Sequence, residues 1–259
     1  MSMRVRPPVK WHGGKYYLAR EIAGHFPAHH TYVEPYGGAA SVLINKDPAP
    51  AEVYNDLDGR ITRLFRVLRD HGDEFRARLA LTPYSEVEFL DAVHPGGDEL
   101  ERARRDFVRW RQSIGGRGGH FSFTRHRSRR GMADVVSGYL SSIDEGLPAI
   151  IERLRTIQIL CRPALDVIRG WDGPETLFSC DPPYLLETRA AGCRNVYGVE
   201  MTDQDHRELA AALRQCRGKV ALSGYPSHLY DELYDGWRTV SFDMANHAAG
   251  ALANPREVE

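Results

Sequence analysis

Thr31-Tyr32-Val33-Glu34-Pro35-Tyr36-Gly37-Gly38-Ala39-Ala40-Ser41 changes character twice in a short span. The first four residues suit a strand, Pro35 to Gly38 suit a turn, and a helix is expected from near Ala39. Small residues at such a turn let the backbone approach a ligand at the carboxyl end of the strand, where open α/β sheets bind nucleotides. The stretch is not Gly-x-Gly-x-x-Gly, and no Lys-Ser/Thr pair follows it. A ligand without phosphates therefore fits better than a dinucleotide or ATP. An ordinary glycine turn is an equal reading of these residues taken alone.

Working outward, strand–helix alternation surrounds this turn. Ala51-Glu52-Val53-Tyr54 is a second strand candidate, followed by Asn55-Asp56-Leu57-Asp58. A helix is expected next, on which Ile61, Leu64, Phe65 and Leu68 keep a 3.6-residue period. Later strands are expected over 156–161, 176–180, 219–223 and 237–242. Helices are expected over 203–216, with Thr202 as N-cap, and over 227–234. From about Asp70 to Arg155 the pattern turns mainly helical and rich in arginine, with Gly115-Gly116-Arg117-Gly118-Gly119 at its centre. The expectation is an α/β catalytic domain (1–69 and 156–259) carrying a mainly helical insertion (70–155).

The 259 residues suffice for one sizeable domain plus such an insertion. A hydrophobic content of 42% with 27% charged residues is that of an ordinary globular protein. No apolar run approaches the ~20 residues of a membrane span. The start, Met1 to Pro8, lacks the apolar stretch of a signal peptide, so the cytoplasm is expected. Cys161, Cys180, Cys193 and Cys216 form no Cys-x-x-Cys pair and read as free thiols, mostly buried. The histidines form no ligand pattern, His29-His30 reads as a surface loop, and no metal site is expected.

The net charge of -1 hides an uneven distribution. Arg102, Arg104, Arg105, Arg109, Arg111, Arg117, Arg125, Arg127, Arg129 and Arg130 face only Glu101 and Asp106 within that stretch. A local basic block interleaved with Phe107, Phe121 and Phe123 is a footprint for a phosphate backbone, although a solvated helix face also carries such charge.

Three further motifs bear on chemistry. Asp56 follows the second strand at a spacing that suits hydrogen bonds from ribose hydroxyls, and capping the next helix is the competing role. Lys10-Trp11-His12-Gly13-Gly14-Lys15 could lie over a carboxylate-bearing ligand, the ammonium on the carboxylate and the ring over an apolar edge. Ser179-Cys180-Asp181-Pro182-Pro183-Tyr184 is the most demanding of the three. A strand ends in a carboxylate, and two prolines then fix the backbone and remove two N–H donors. The Asp181 carboxylate and the Pro182 carbonyl become adjacent acceptors, which suits an exocyclic amine with two hydrogens. Tyr184 offers a ring face for a planar base.

These motifs, in this order, resemble the Dam-type (D12-class) DNA adenine N6-methyltransferases, and their phage-associated members in particular. The resemblance lies in Lys10-Trp11-x-Gly13-Gly14-Lys15, Val33-Glu34-Pro35-Tyr36-x-Gly38-Ala39-x-Ser41, Asn55-Asp56 and Asp181-Pro182-Pro183-Tyr184. It implies a Rossmann-like S-adenosylmethionine-dependent methyltransferase sheet with a target-recognition insertion. It also implies methyl transfer from S-adenosylmethionine to adenine N6 in DNA after base flipping, by a monomer without membrane contact. Restriction–modification is among the settings it implies. The implied cofactor-binding residues are Trp11, Lys15, Glu34, Pro35, Tyr36, Gly38, Ala39, Asp56 and Asp181, with Asp166 in the loop after the third strand. The implied catalytic residues are Asp181, Pro182 and Tyr184. Arg109, Arg111, Arg117, Arg125 and Arg127 are expected to bind DNA.

Two features depart from the family pattern. Gly37 stands at a variable turn position and suggests a looser loop. The family continues past an Arg-x-Glu-like segment into a final apolar strand, whereas Pro255 to Glu259 end the sequence at that segment, so the strand is expected to be missing or its hairpin shortened. Competing readings are an amino-methyltransferase acting on RNA or protein glutamine, and a DNA-binding protein with a relic pocket. A nucleotide-dependent dehydrogenase is more distant, for want of a dinucleotide fingerprint.

Overall fold

The computed structural model describes residues 4–127, 131–189, 198–245 and 256–258; for 243–245 and 256–258 only the backbone path is described. Arg129, Arg130 and Cys193 lie outside the described residues. Apolar, β-branched and aromatic runs form five strands: β1 (Thr31–Glu34), β2 (Ala51–Asn55), β3 (Gln158–Leu160), β4 (Thr176–Cys180) and β5 (Lys219–Leu222). They pair in the order β3-β2-β1-β4-β5, every pair parallel. Tyr32, Val33, Val53, Tyr54, Leu177 and Phe178 are wholly buried, as strands covered on both faces require. The chain leaves β1 in one direction across the sheet and, after β3, returns to β4 on its other side. The carboxyl ends of β1 and β4 therefore border the switch point where such sheets bind ligands.

Helices α1 (Ala19–Gly24), α2 (Ser41–Asn45) and α3 (Gly59–Asp70) accompany the first strands. The predicted period on α3 holds: Ile61, Leu64, Phe65 and Leu68 are all fully buried. Asp58 caps this helix, its side chain accepting from the Arg60 N–H at 2.9 Å. Helices α4 (Gly72–Ala80), α5 (Glu86–Asp91), α6 (Glu99–Arg111), α7 (Asp134–Ser141) and α8 (Leu147–Leu154) follow, and among the described residues of this stretch there is no strand. Apolar residues of α4, α6, α7 and α8 join those of α3 in one cluster, so α3 packs on both the sheet and these helices. Burial on that scale stabilises by roughly 1.5–3 kcal/mol per large side chain. A buried ion network ties the two parts as well. Glu52 on β2 accepts from Lys46 and from Arg153 of α8, both at 2.5 Å.

Helices α9 (Ala164–Trp171), α10 (Asp203–Gln215) and α11 (His228–Leu233) cover the other side. Thr202 caps α10 as expected, in a reciprocal capping box with Asp205.

Several expectations are corrected. The 156–161 strand shortens to Gln158–Leu160. The helix after the glycine turn starts at Ser41 rather than near Ala39, because Ala40 occupies the left-handed region (φ 55°). The strand expected over 237–242 does not form. Gly236, at φ 80°, turns the chain after α11, and Trp237 packs edge-on to Tyr234, 5.1 Å between ring centroids. The last strands are instead β6 (Asp243–Ala245) and β7 (Arg256–Val258), an antiparallel pair of their own. Cys180 is buried, Cys216 half-buried and Cys161 exposed, all as free thiols.

Candidate active site

The glycine turn is held from three sides at the end of β1. Gly37 donates to the Asn55 carbonyl at 2.8 Å, and the Tyr54 hydroxyl donates to the Gly38 carbonyl at 2.7 Å. The Gly38 N–H donates to Asp56 Oδ2 at 2.8 Å. A Cβ on Gly37 would fall inside the Tyr54 ring, and one on Gly38 would meet the Trp11 indole at 2.6 Å. Gly37 is therefore there for close approach, not for looseness, which corrects the expectation of a slack turn.

Asn55, fully buried, fastens three strand ends together. Its amide donates to the Pro35 carbonyl (2.8 Å) and the Arg162 carbonyl (3.0 Å), and its oxygen accepts from the Arg162 N–H (2.9 Å). Sequence reading quoted Asn55 only as the neighbour of Asp56. Its signal was an amide at the mouth of a buried strand, where backbone carbonyls lack partners.

A cavity opens at this switch point. It is lined by Trp11, Lys15, Glu34, Pro35, Tyr36, Gly38, Ala39, Asp56 and Asp181 among others, which brings together nine of the ten residues expected around a cofactor. Asp166 is the exception. It is exposed in the first turn of α9, not in a loop, and pairs with Arg169 at 3.6 Å; α9 begins straight after Pro163, so the helix claims that position. Ala164, two residues earlier, is the part of α9 that reaches the cavity.

Asp56 accepts from two backbone N–H groups, Gly38 on Oδ2 and Asp58 on Oδ1, each at 2.8 Å. Burial nevertheless raises its carboxyl to about 6, against the pull of those two donors. The capping role falls to Asp58, which leaves Asp56 facing the cavity. Glu34 is buried deeper, its Oε1 accepting from the Tyr32 hydroxyl (2.7 Å) and the Leu43 N–H (2.9 Å). Burial lifts its carboxyl to about 8, so it is largely uncharged at neutral pH.

Lys15 is 7% exposed. Its ammonium donates to the Gly13 carbonyl at 3.0 Å, lies 3.3 Å from Asp181 Oδ1 and sits 4.8 Å from the centre of the Tyr184 ring. The Tyr184 hydroxyl also donates to Asp181 Oδ1, at 3.1 Å. Tyr184 is not an open platform here. It is 5% exposed, with Tyr225 edge-on at 4.7 Å. Pro182 is buried behind Asp181, and Pro183 rather than Pro182 lines the cavity. The Asp181 side chain keeps 34% exposure and is the open polar group of the motif.

Trp11 reaches from the N-terminal segment to the insertion, where it meets the buried Trp110 of α6 at 5.7 Å between ring centroids. Trp110, hidden in the arginine-rich helix, was missed by sequence reading. The arginines themselves divide. Arg104 binds Glu101 and Glu88, each at 2.8 Å, and Arg105 binds Glu101, so part of the basic block is neutralised locally. Arg109 donates to the Gly118 and Phe89 carbonyls and lies 4.1 Å from the centre of the Phe89 ring. Arg111 donates to the Gly138 carbonyl at 2.8 Å, and burial pushes its guanidinium down to about 10. Arg117, Arg125 and Arg127 are exposed. Among the described residues no three His, Cys, Asp or Glu side chains group as a metal site, and no helix is long and apolar enough to cross a membrane.

A carboxylate-lined cavity at the β1/β4 switch point, with Asp181 and Pro183 in its lining, can hold a nucleoside-bearing ligand beside a second, amine-bearing one. Comparison with known proteins agrees. The family model for D12 class N6 adenine-specific DNA methyltransferases matches residues 11–246. The DNA adenine methylase of Serratia marcescens is 25% identical over 234 residues, covering 87% of this chain and 86% of the relative. That of Escherichia coli (strain K12) is 25% identical over 235 residues, covering 87% and 83%. The Type II methyltransferase M.MjaIII of Methanocaldococcus jannaschii is 24% identical over 267 residues, covering 91% and 90%. With its cavity, its motif order and a family match that runs from Trp11 to Ala245 and one residue beyond, the chain belongs to the D12 class N6 adenine-specific DNA methyltransferases.

Proposed function

We propose that the chain transfers a methyl group from S-adenosylmethionine to the N6 amine of an adenine rotated out of a DNA duplex. The observation that carries this reading is the meeting of Asp56, the glycine turn and Asp181 at one cavity. The residues fit such a ligand. Gly37 and Gly38 let the turn pack directly on Tyr54 and Trp11, which fixes it in the cavity wall, and Asp56, half-buried in the same wall, accepts from ribose hydroxyls. Trp11, Lys15, Glu34, Pro35, Tyr36 and Ala39 hold its remaining parts. S-adenosylmethionine supplies a methyl already activated on a sulfonium, so positioning carries most of the catalysis.

The exocyclic nitrogen of adenine is a poor nucleophile because its lone pair is conjugated with the ring. Asp181 and the Pro182 carbonyl accept its two hydrogens, which biases the nitrogen toward tetrahedral geometry and directs its lone pair. Tyr184 stacks on the base and partly offsets the few kcal/mol of unstacking. Lys15 and Tyr225 stand against Tyr184 in this structure, so base entry exchanges one of them for the base. Residues 70–155 engage the duplex, with the exposed Arg117, Arg125 and Arg127 meeting phosphates or base edges. Arg109 and Arg111 shape the scaffold that presents them, and any DNA contact of theirs uses donors left over from their carbonyl bonds.

Incubation with a donor labelled in the methyl group and with duplex DNA, RNA or protein tests the reading. Label is expected in DNA alone, as N6-methyladenine. Label in RNA or protein glutamine with none in DNA contradicts it.

A further inference from the structure

His206 is a wholly buried imidazole, 0% exposed, outside the cavity lining and within reach of the Pro183 backbone. Both ring nitrogens of a buried histidine need partners. Nδ1 lies 3.3 Å from the Tyr230 hydroxyl, with the two rings edge-on at 5.6 Å. Nε2 is buried without a partner of good hydrogen-bond geometry, and the Pro183 backbone acts on the ring in the sense that favours a proton there.

Both flanks of this contact are fixed. The capping box of Thr202 and Asp205 sets the start of α10, one turn before His206. On the other flank Gly224 has no room for a Cβ against the Tyr230 ring, and Ser227 caps α11 by accepting from the Tyr230 N–H at 3.1 Å. The Ser223 N–H donates to the Cys180 carbonyl at 2.9 Å, which keeps the exit of β5 beside that of β4. Beyond the turn, Arg189 donates to the Tyr184 carbonyl at 2.8 Å and pairs with Glu200 at 2.8 Å.

The turn itself is short of donors. Pro182 and Pro183 have no N–H, and with φ locked in both, their freedom lies in ψ. At these two prolines only carbonyls are left for hydrogen bonds. We propose that His206 is a positioning residue for methyl transfer, its Nδ1 accepting from Tyr230 and its Nε2–H donating to the Pro183 carbonyl, so that Asp181 and the Pro182 carbonyl stay aimed at the target amine. Burial, helped by Arg189, keeps the ring toward its neutral form, against Asp203, Asp205 and Pro183, and a neutral ring has one donor and one acceptor to give. The inference rests on the roles proposed above for Asp181 and Pro182.

The test is the single-turnover rate of labelled methyl transfer to duplex DNA, with dissociation constants for S-adenosylmethionine and DNA measured separately. Loss of the proposed hydrogen bond to Pro183 predicts that His206→Leu slows transfer by about tenfold. Both dissociation constants should stay within about twofold, since the lost contact acts on transfer and not on binding. His206→Gln, whose amide can donate from nearly the same place, should recover most of the rate. Tyr230→Phe, which removes one oxygen, should slow transfer in the same direction with binding unchanged. A full-rate Tyr230→Phe overturns the inference, even if His206→Leu fails to fold. Equal losses in His206→Leu and His206→Gln, accompanied by weakened binding, also overturn it, because that is the mark of packing alone. Asp181→Ala separates the two levels of failure. Near-normal turnover there overturns the amine site and this inference with it, whereas an inactive Asp181→Ala beside a full-rate Tyr230→Phe overturns the inference alone.

Discussion

Asp56 holds one carboxylate oxygen on Gly38 and the other on Asp58, and burial raises it from 3.8 to about 6. Its folded-state pKa lies above the unfolded one, so its share of stability is full below about pH 3.8 and is lost as pH rises through about 6. Ligand hydroxyls need the ionised form, so binding runs the opposite way. Calorimetric titration with S-adenosylmethionine should show affinity falling as pH drops through about 6, and Asp56→Asn should bind weakly with that limb absent. Glu34 carries the same sign at a higher pH. Its contribution fades as pH rises through about 8, so Glu34→Gln should raise the melting temperature relative to the parent at pH 9 more than at pH 6. At this scale the sequence made residue types legible but not their partners. Asp56 and Asp181 could be picked out by their strand-end positions. That Lys15 would pair with Asp181 depends on side chains far apart in sequence, and the burial of Tyr184, which turns its hydroxyl onto Asp181, depends on what packs on its ring, Lys15 and Tyr225 among them.

At the scale of elements, the glycine turn is the joint on which the site depends. Gly37→Ala places a methyl inside the Tyr54 ring, while Tyr54 is fully buried and bonded to Gly38. Overpacking of this kind costs about 1–3 kcal/mol. Thermal denaturation should show that loss together with weaker cofactor binding. Gly59→Ala at the start of α3, where nothing lies within 4 Å of the added carbon, should be neutral or slightly stabilising. Strands β1, β2 and β4 were legible because each centres on aliphatic and aromatic residues (Tyr32-Val33, Val53-Tyr54, Leu177-Phe178) and is followed within two residues by a proline or an acidic residue. The run over 237–242 looked similar, yet it lies beyond β5 with Trp237 packed on Tyr234. Strand propensity without a neighbour to pair with does not make a strand.

For the molecule as a whole, the arginine block is smaller in effect than in composition. Glu88 and Asp91 of α5 lie outside the stretch in which the arginines were weighed, and they return to neutralise Arg104 and Arg105. Arg104→Ala should therefore act on stability, by roughly 1–3 kcal/mol, with little change in DNA affinity per folded molecule. Arg125→Ala and Arg127→Ala should do the reverse. Each should weaken DNA binding and lower the slope of log affinity against log salt by about 1 if its side chain meets a phosphate. The helices between Gly72 and Leu154 were legible as a charged stretch without strand pattern. Their sharing of a core with α3, through Phe107, Leu100 and Tyr139, was not, since apolar periodicity shows a buried face without saying what covers it. At the centre of the reaction, Asp181 is proposed to present adenine N6 for methylation in DNA. The most direct test is nucleoside analysis of duplex DNA incubated with S-adenosylmethionine and either the parent protein or Asp181→Ala, the variant first shown to melt within a few degrees of the parent. N6-methyladenine is expected with the parent and none above background with the variant. Comparable N6-methyladenine from both would contradict this role.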